Sequence, residues 1–141
     1  MKLRLATKKE LKKHLPQDPV RPHIKSDWRT KYGREVYVLE SNNEIQAVLC
    51  IAYTDEVPKS ELDMKYPGID IAVFYTVWSY KKGAGREIIM QALQMCKEQK
   101  PHVKRFVTLS PITDMATKFH QRNGAFNIGV HKDCQNFEYY V

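Results

Sequence analysis

The sequence predicts one α/β domain: a mixed, mostly antiparallel sheet of about seven strands with helices on both faces. Three observations lead there. Short runs rich in β-branched and aromatic residues recur along the whole chain, as strands do. Two stretches in the second half carry apolar residues at helical spacing: Ile88, Ile89, Ala92, Leu93 and Cys96, then Met115, Ala116 and Phe119. The length of 141 residues, 43% hydrophobic and 28% charged, suits a single domain with its own core.

The elements follow in order. Leu3-Arg4-Leu5 reads as a short first strand. Thr7 is placed to N-cap a helix from Lys8, with Glu10 in its first turn and Leu11 and Leu15 as a thin apolar stripe among lysines. Pro16, Pro19 and Pro22 end that helix and open a loop-rich segment through Gly33. Residues 36–40 and 45–53 form a hairpin turned at Ser41-Asn42-Asn43-Glu44. Residues 54–68, with Pro58 and Pro67, make a polar flap. A strand over 70–77 and a helix over 84–99, stopped before Pro101, come next. Strand 105–109 leads to Ser110-Pro111, an N-cap and first-turn pair for a helix that ends at Asn123-Gly124. Strands over 126–130 and 136–141 close the chain.

Composition narrows the function classes. No apolar run approaches the roughly 18 residues a membrane span needs, and the start of the chain lacks the apolar core of a signal peptide, so a cytoplasmic protein is expected. Cys50, Cys96 and Cys134 are odd in number and far apart, which predicts neither disulfides nor structural zinc. His131-Lys132-Asp133-Cys134 lacks a second ligand pair and reads as a turn, and no metal is expected. Cys50, in an apolar strand, reads as core packing rather than as a nucleophile. The formal net charge of +7 is an N-terminal property: residues 1–34 hold eleven Lys/Arg against three Asp/Glu, the remainder twelve against thirteen. Aromatic residues do not alternate with these lysines, so a solvated helix face is a better reading than a nucleic-acid platform.

The sharpest local signal is Lys82-Gly83-Ala84-Gly85-Arg86, between a strand and a helix. Such a turn leaves backbone N–H groups unpaired at the helix start, where the helix dipole also favours an anion. Lys81, Lys82 and Arg86 add positive charge, and two glycines let a phosphate approach the backbone. The string lacks the Gly-Lys-Ser/Thr of the nucleoside-triphosphate loop, and Ile88 stands where a dinucleotide fingerprint needs its third glycine.

With that loop in place, the chain resembles the GCN5-related N-acetyltransferase (GNAT) superfamily over nearly its whole length. The family's pyrophosphate loop, Gln/Arg-x-x-Gly-x-Gly/Ala, is similar to Tyr80-Lys81-Lys82-Gly83-Ala84-Gly85, with Tyr80 in place of the leading residue. Its second motif, Ala-x-x-x-Tyr-x-x-x-Gly-Phe on the next helix, resembles residues 116–125, where Ala116 and Gly124 match, His120 falls at the tyrosine and Ala125 at the phenylalanine.

The resemblance implies acetyl-CoA as co-substrate, its pyrophosphate on Lys82, Gly83, Ala84, Gly85 and Arg86 and its pantetheine along Thr76, Val77 and Trp78 in a gap between two splayed strands. Ser110 and Phe119 fall beside the same channel. It further implies direct attack of a primary amine, from a small molecule or a protein, on the thioester, with a backbone N–H near Val77 opposite the oxyanion. His120 is then placed to protonate the leaving thiolate. A general base is harder to name, since strand 70–77 carries no glutamate. Glu40 and Asp70, both at strand ends, and Tyr75 through a water chain are the candidates. The acceptor pocket is expected between the 8–32 segment, the 54–68 flap and the last two strands. A monomer or homodimer is expected, without a membrane and without nucleic acid as partner. Two other functions stay open: a non-catalytic acyl-CoA-binding or sensing module, and a basic nucleic-acid-binding domain whose glycine loop holds a backbone phosphate.

Overall fold

A computed structural model describes residues 1–141, all of the chain. Its centre is a seven-stranded sheet of order β1-β2-β3-β4-β5-β7-β6. The strands are β1 (Lys2–Leu5), β2 (Glu35–Ser41), β3 (Glu44–Thr54), β4 (Ile71–Ser79), β5 (Arg105–Thr108), β6 (Phe126–Val130) and β7 (Gln135–Tyr139). Four helices accompany them: α1 (Lys8–His14), α2 (Ser26–Arg29), α3 (Ala84–Gln99) and α4 (Asp114–Arg122). Every neighbouring pair is antiparallel except β4 and β5, which the α3 crossover makes parallel.

Each face of the sheet buries its own core. One face packs Leu39, Leu49, Ile51, Phe74 and Phe137 against Ile88, Ile89, Leu93 and Cys96 of α3. The other packs Val38, Val48, Cys50, Val73, Tyr75 and Leu109 against Leu15 and Met64, with Leu11 of α1 and Trp28 of α2 at its margin. Both faces being covered explains why β3 is buried along nearly its whole length instead of alternating.

Most boundaries stand within two residues of those the sequence predicts. Thr7 caps α1 in a full capping box with Glu10, and Arg4 pairs with the Glu10 carboxylate at 2.8 Å. The β2–β3 hairpin turns through Asn42 and Asn43, at φ of 53° and 64°, the left-handed pair that suits strand twist. Gly124 ends α4 at φ 96°.

Three expectations need correction. The proline-rich segment is not all loop: it holds a 3₁₀ turn at Leu15–Gln17 and the single turn α2, both too short to show a period. The flap likewise carries a 3₁₀ turn, at Leu62–Lys65. Ser110 does not cap α4. Its backbone pairs with Gln135 of β7 in both directions at 2.8 Å, which keeps it extended, and Thr113 caps the helix by accepting from the Ala116 amide.

Candidate active site

The sheet opens between β4 and β5. These strands pair from Ile71 and Arg105 only as far as Phe74 and Thr108; β4 then runs on to Ser79 while β5 stops. Beyond Thr108 the chain leans towards β7 through the Ser110–Gln135 bridge, and the Thr108 hydroxyl takes the Ser110 hydroxyl as partner at 2.7 Å. On the other side β4 bulges. Cys50 faces Thr76 and Ile51 faces Phe74, so Tyr75 is the extra residue. The bulge reverses side-chain parity: Phe74 faces the α3 core and Tyr75 the opposite core, yet it is Val77 that packs on the α3 side and Trp78 on the other. The result is a two-strand fork whose β4 edge, over residues 75–79, has no strand beside it.

Arg21, from the proline-rich loop, sits at the base of this fork. One Nη donates to the Tyr75 carbonyl and, at 3.3 Å, to the Thr76 hydroxyl; the other donates to the Leu109 carbonyl at 2.7 Å. The guanidinium thereby satisfies backbone acceptors that β4 and β5 no longer satisfy for each other. Its loop is held from below. Asp18 Oδ1 accepts from the Val20 and Arg21 amides at 2.8 Å each, and Oδ2 pairs with Arg29 at 2.8 Å, both side chains fully buried. Arg29 also donates to the Arg21 carbonyl at 2.6 Å and to the Cys50 sulfur at 3.3 Å. Burial raises the Cys50 thiol to about 11, so it stays protonated and inert.

At the open end of the fork lies the start of α3. Gly83 caps it at φ 84°, and the amides of Gly85 and Arg86 have no partner in the protein. A Cβ on Gly85 would stand 3.2 Å from the Phe119 ring, so only glycine lets α4 lie this close to the loop. The Arg86 guanidinium is held by Asn123 at 3.2 Å. Tyr80, which the motif comparison marks as a departure, ties the loop to α1. Its oxygen accepts from Trp78 Nε1 at 3.0 Å and shares a 2.8 Å hydrogen bond with His14 Nδ1. Burial lowers the pKa of His14, which keeps it neutral.

The structure brings together Thr76, Val77, Trp78, the residues from Lys82 to Arg86, Ser110 and Phe119 as the rims of the fork. It does not bring the three proposed catalytic side chains there. The His120 ring packs on Phe137 and Tyr139 of β7, shares a 2.7 Å hydrogen bond with the Tyr139 hydroxyl, and is 5% exposed. Burial lowers its pKa to about 4, leaving a neutral ring in the core. Tyr75 is 1% exposed with an unpartnered hydroxyl, its pKa pushed up by burial, so no water chain reaches it. Glu40 is two strands away: Thr76 aligns through Cys50 with Val36, and Glu40 lies four residues further, roughly 13 Å along β2. Arg4 holds it there at 3.2 Å. Asp70 precedes β4 at the closed end of the sheet.

Sequence reasoning missed Arg21, Asp18 and Arg29, and also Glu61 and His23. Glu61, on the flap, pairs with Arg21 Nε at 2.9 Å and with His23 Nε2 at 2.9 Å. The flap is pinned elsewhere by Arg34 to the Met64 carbonyl at 3.1 Å, by Asn136 to the Pro58 carbonyl at 3.0 Å and by the Cys134 thiol to the Lys59 carbonyl at 3.0 Å. The proline-rich loop, the flap and β7 thus meet over one face of the fork. A surplus of arginine in a proline-rich segment is the only sequence signal that pointed to this cluster.

No protein-family model matches the chain, and no curated protein matches it in sequence. Solved structures do. A ribosomal-protein-alanine N-acetyltransferase from Brucella melitensis is 14% identical, with 100% of both chains covered and a TM-score of 0.66. A Bacillus subtilis acetyltransferase in complex with CoA is 14% identical, over 97% of this chain and 94% of its own, at a TM-score of 0.66. A malonyl-CoA decarboxylase from Agrobacterium vitis is 20% identical over 84% of this chain, at a TM-score of 0.66; the match spans 35% of the decarboxylase. The forked seven-stranded sheet and these likenesses agree: the chain has the fold of the GCN5-related N-acetyltransferase superfamily.

Proposed function

We propose that the protein is an N-acetyltransferase that moves the acetyl group of acetyl-CoA to a primary amine by direct attack. The observation that carries this reading is the unpaired β4 edge running from the Tyr75 bulge to the free amides at the start of α3. A pantetheine arm fits beside such an edge as a surrogate strand, with its amides bonding the backbone at Thr76, Val77 and Trp78. The Gly85 and Arg86 amides, with Lys82 beside them, suit a pyrophosphate. The solved neighbour with CoA bound supports the same cofactor class.

In this reading the amine attacks the thioester carbonyl at the base of the fork and the C–S bond breaks. His120 supplies no proton to the sulfur, since its ring is buried against β7. The thiolate instead takes the proton shed by the newly acylated nitrogen. The acceptor is a small molecule or an exposed protein amine entering between the proline-rich loop and the flap. No helix is long and apolar enough to cross a membrane. The test is release of free CoA thiol from acetyl-CoA across a panel of primary amines, with acetyl-CoA affinity measured alongside.

A non-catalytic acyl-CoA-binding module is the second reading. It is favoured by the buried His120 and by the lack of any carboxylate on β4. Tight acetyl-CoA binding with no thiol release for any amine selects it.

A further inference from the structure

An amine acceptor is protonated at neutral pH and must lose a proton before it attacks. None of the sequence-derived bases stands at the fork: Glu40 is held by Arg4, Tyr75 is sealed in the core, and Asp70 is at the other end of the sheet. Asp18 is fully buried on Arg29. Glu61 and His23 differ from all of these. Their side chains are 42% and 60% exposed, and Glu61 sits one guanidinium away from the fork, against Arg21.

Their contact also fixes a tautomer. A carboxylate only accepts, so His23 Nε2 must carry the hydrogen in the 2.9 Å contact with Glu61 Oε2. In the neutral ring Nδ1 is then the free lone pair. The other Glu61 oxygen lies 2.9 Å from Arg21 Nε, an ion pair without hydrogen-bond alignment, so a buried cation holds the carboxylate by charge.

We propose that His23 and Glu61 form the proton-accepting pair of this site, with His23 Nδ1 taking a proton from the acceptor ammonium while Glu61 holds and polarises the ring. The proposal rests on the transferase reading above. The nitrogen lone pair so released forms the C–N bond, the C–S electron pair leaves on sulfur, and the second nitrogen proton passes to that thiolate. His23 returns its proton to solvent after each turnover. Arg21 and Cys134 are the charged and titratable groups that Glu61 neighbours; Asp18 acts on Arg21, and Asp63 and Asp133 act on Cys134.

The experiment is a pH profile of kcat/KM for ethanolamine, lysine and a lysine-containing peptide, with wild type, His23→Gln and Glu61→Gln. In wild type the rate should fall on the acid side as one group gains a proton. His23→Gln should lower kcat/KM by about 100-fold and erase that limb, with acetyl-CoA affinity and urea midpoint unchanged, because His23 is exposed. Glu61→Gln should lower kcat/KM by about tenfold with acetyl-CoA affinity unchanged, since the imidazole loses the carboxylate that orients it. A His23→Gln protein with wild-type rate and an unaltered limb overturns the pair while leaving the transferase reading intact. No turnover by wild type overturns both.

Discussion

Arg21 and Leu109 are joined across the base of the fork, just past the last paired residues of β4 and β5: Nη2 donates to the Leu109 carbonyl at 2.7 Å while Nη1 holds the Tyr75 carbonyl on the opposite strand. A planar guanidinium reaches two strands at once, which an ammonium does not. Arg21→Lys should keep the charge and lose the bridge, weakening acetyl-CoA binding about tenfold, or roughly 1.4 kcal/mol, with a modest loss of stability. Arg21→Met leaves both carbonyls without this donor and should cost about 3 kcal/mol in urea unfolding. Equal acetyl-CoA affinity in Arg21→Lys and wild type would separate the fork from the cofactor.

Asp18 and Arg29 are a fully buried ion pair that also secures the loop carrying Arg21. Removing one partner strands a charge in the core. Asp18→Asn is expected to cost about 3–5 kcal/mol, measured by urea denaturation. The double variant Asp18→Asn with Arg29→Met should recover part of that loss. A single variant within 1 kcal/mol of wild type (a surface-pair magnitude) contradicts the buried geometry.

Gly85 is set against the Phe119 ring at 3.2 Å from where a Cβ would stand. Gly85→Ala should therefore push α4 or the loop aside and weaken acetyl-CoA binding by about tenfold. Pairing it with Phe119→Leu makes room and should restore most of the affinity. Gly83 is constrained differently: space is free around it, but φ is 84°. Gly83→Ala should cost about 1 kcal/mol of stability, and Phe119→Leu should not rescue it.

His120 makes stability depend on acidity. Its folded pKa is lowered to about 4 from 6.5, so the unfolded chain binds the extra proton between those values. Stability is then fully present above pH 6.5 and is lost as pH falls towards 4, by up to about 3 kcal/mol. His14, shifted in the same direction by burial, steepens the same window. His120→Gln should flatten the slope of urea midpoint against pH between 6.5 and 4, and an unchanged slope would contradict the burial of the ring. Transfer activity, if tied to His23, should not follow that slope in His120→Gln.

The sheet and α3 were legible in the sequence because their signals are local. Continuous apolar, β-branched runs marked β2 and β3, an Asn-Asn turn joined them, and α3 showed a full apolar stripe. The loop at Gly83 and Gly85 was legible for the same reason. His120 was misjudged because motif spacing gives a position on a helix, not a direction. One step along α4 separates Phe119, against Gly85, from His120, against β7. The Arg21 bridge was hidden further still: its partners are 54 and 88 residues away, and carbonyl acceptors carry no residue signature. Glu61 and His23, 38 residues apart, meet only because two loops cross over one face.

The bulge at Tyr75 divides β4 into two half-strands that read the in-or-out alternation in opposite order. Deleting one residue between Tyr75 and Trp78 would bring the halves back into a single phase. Without Thr76, Val77 would stay on the α3 side and Trp78 on the other, because the deletion only takes out the extra residue that the bulge absorbs. Tolerance to length change therefore differs along this strand. A one-residue deletion scan along β4 should retain folded members at residues 75–76, where the bulge gives up its extra residue, and lose them at residues 71–73, where Phe74 and Tyr75 would exchange cores.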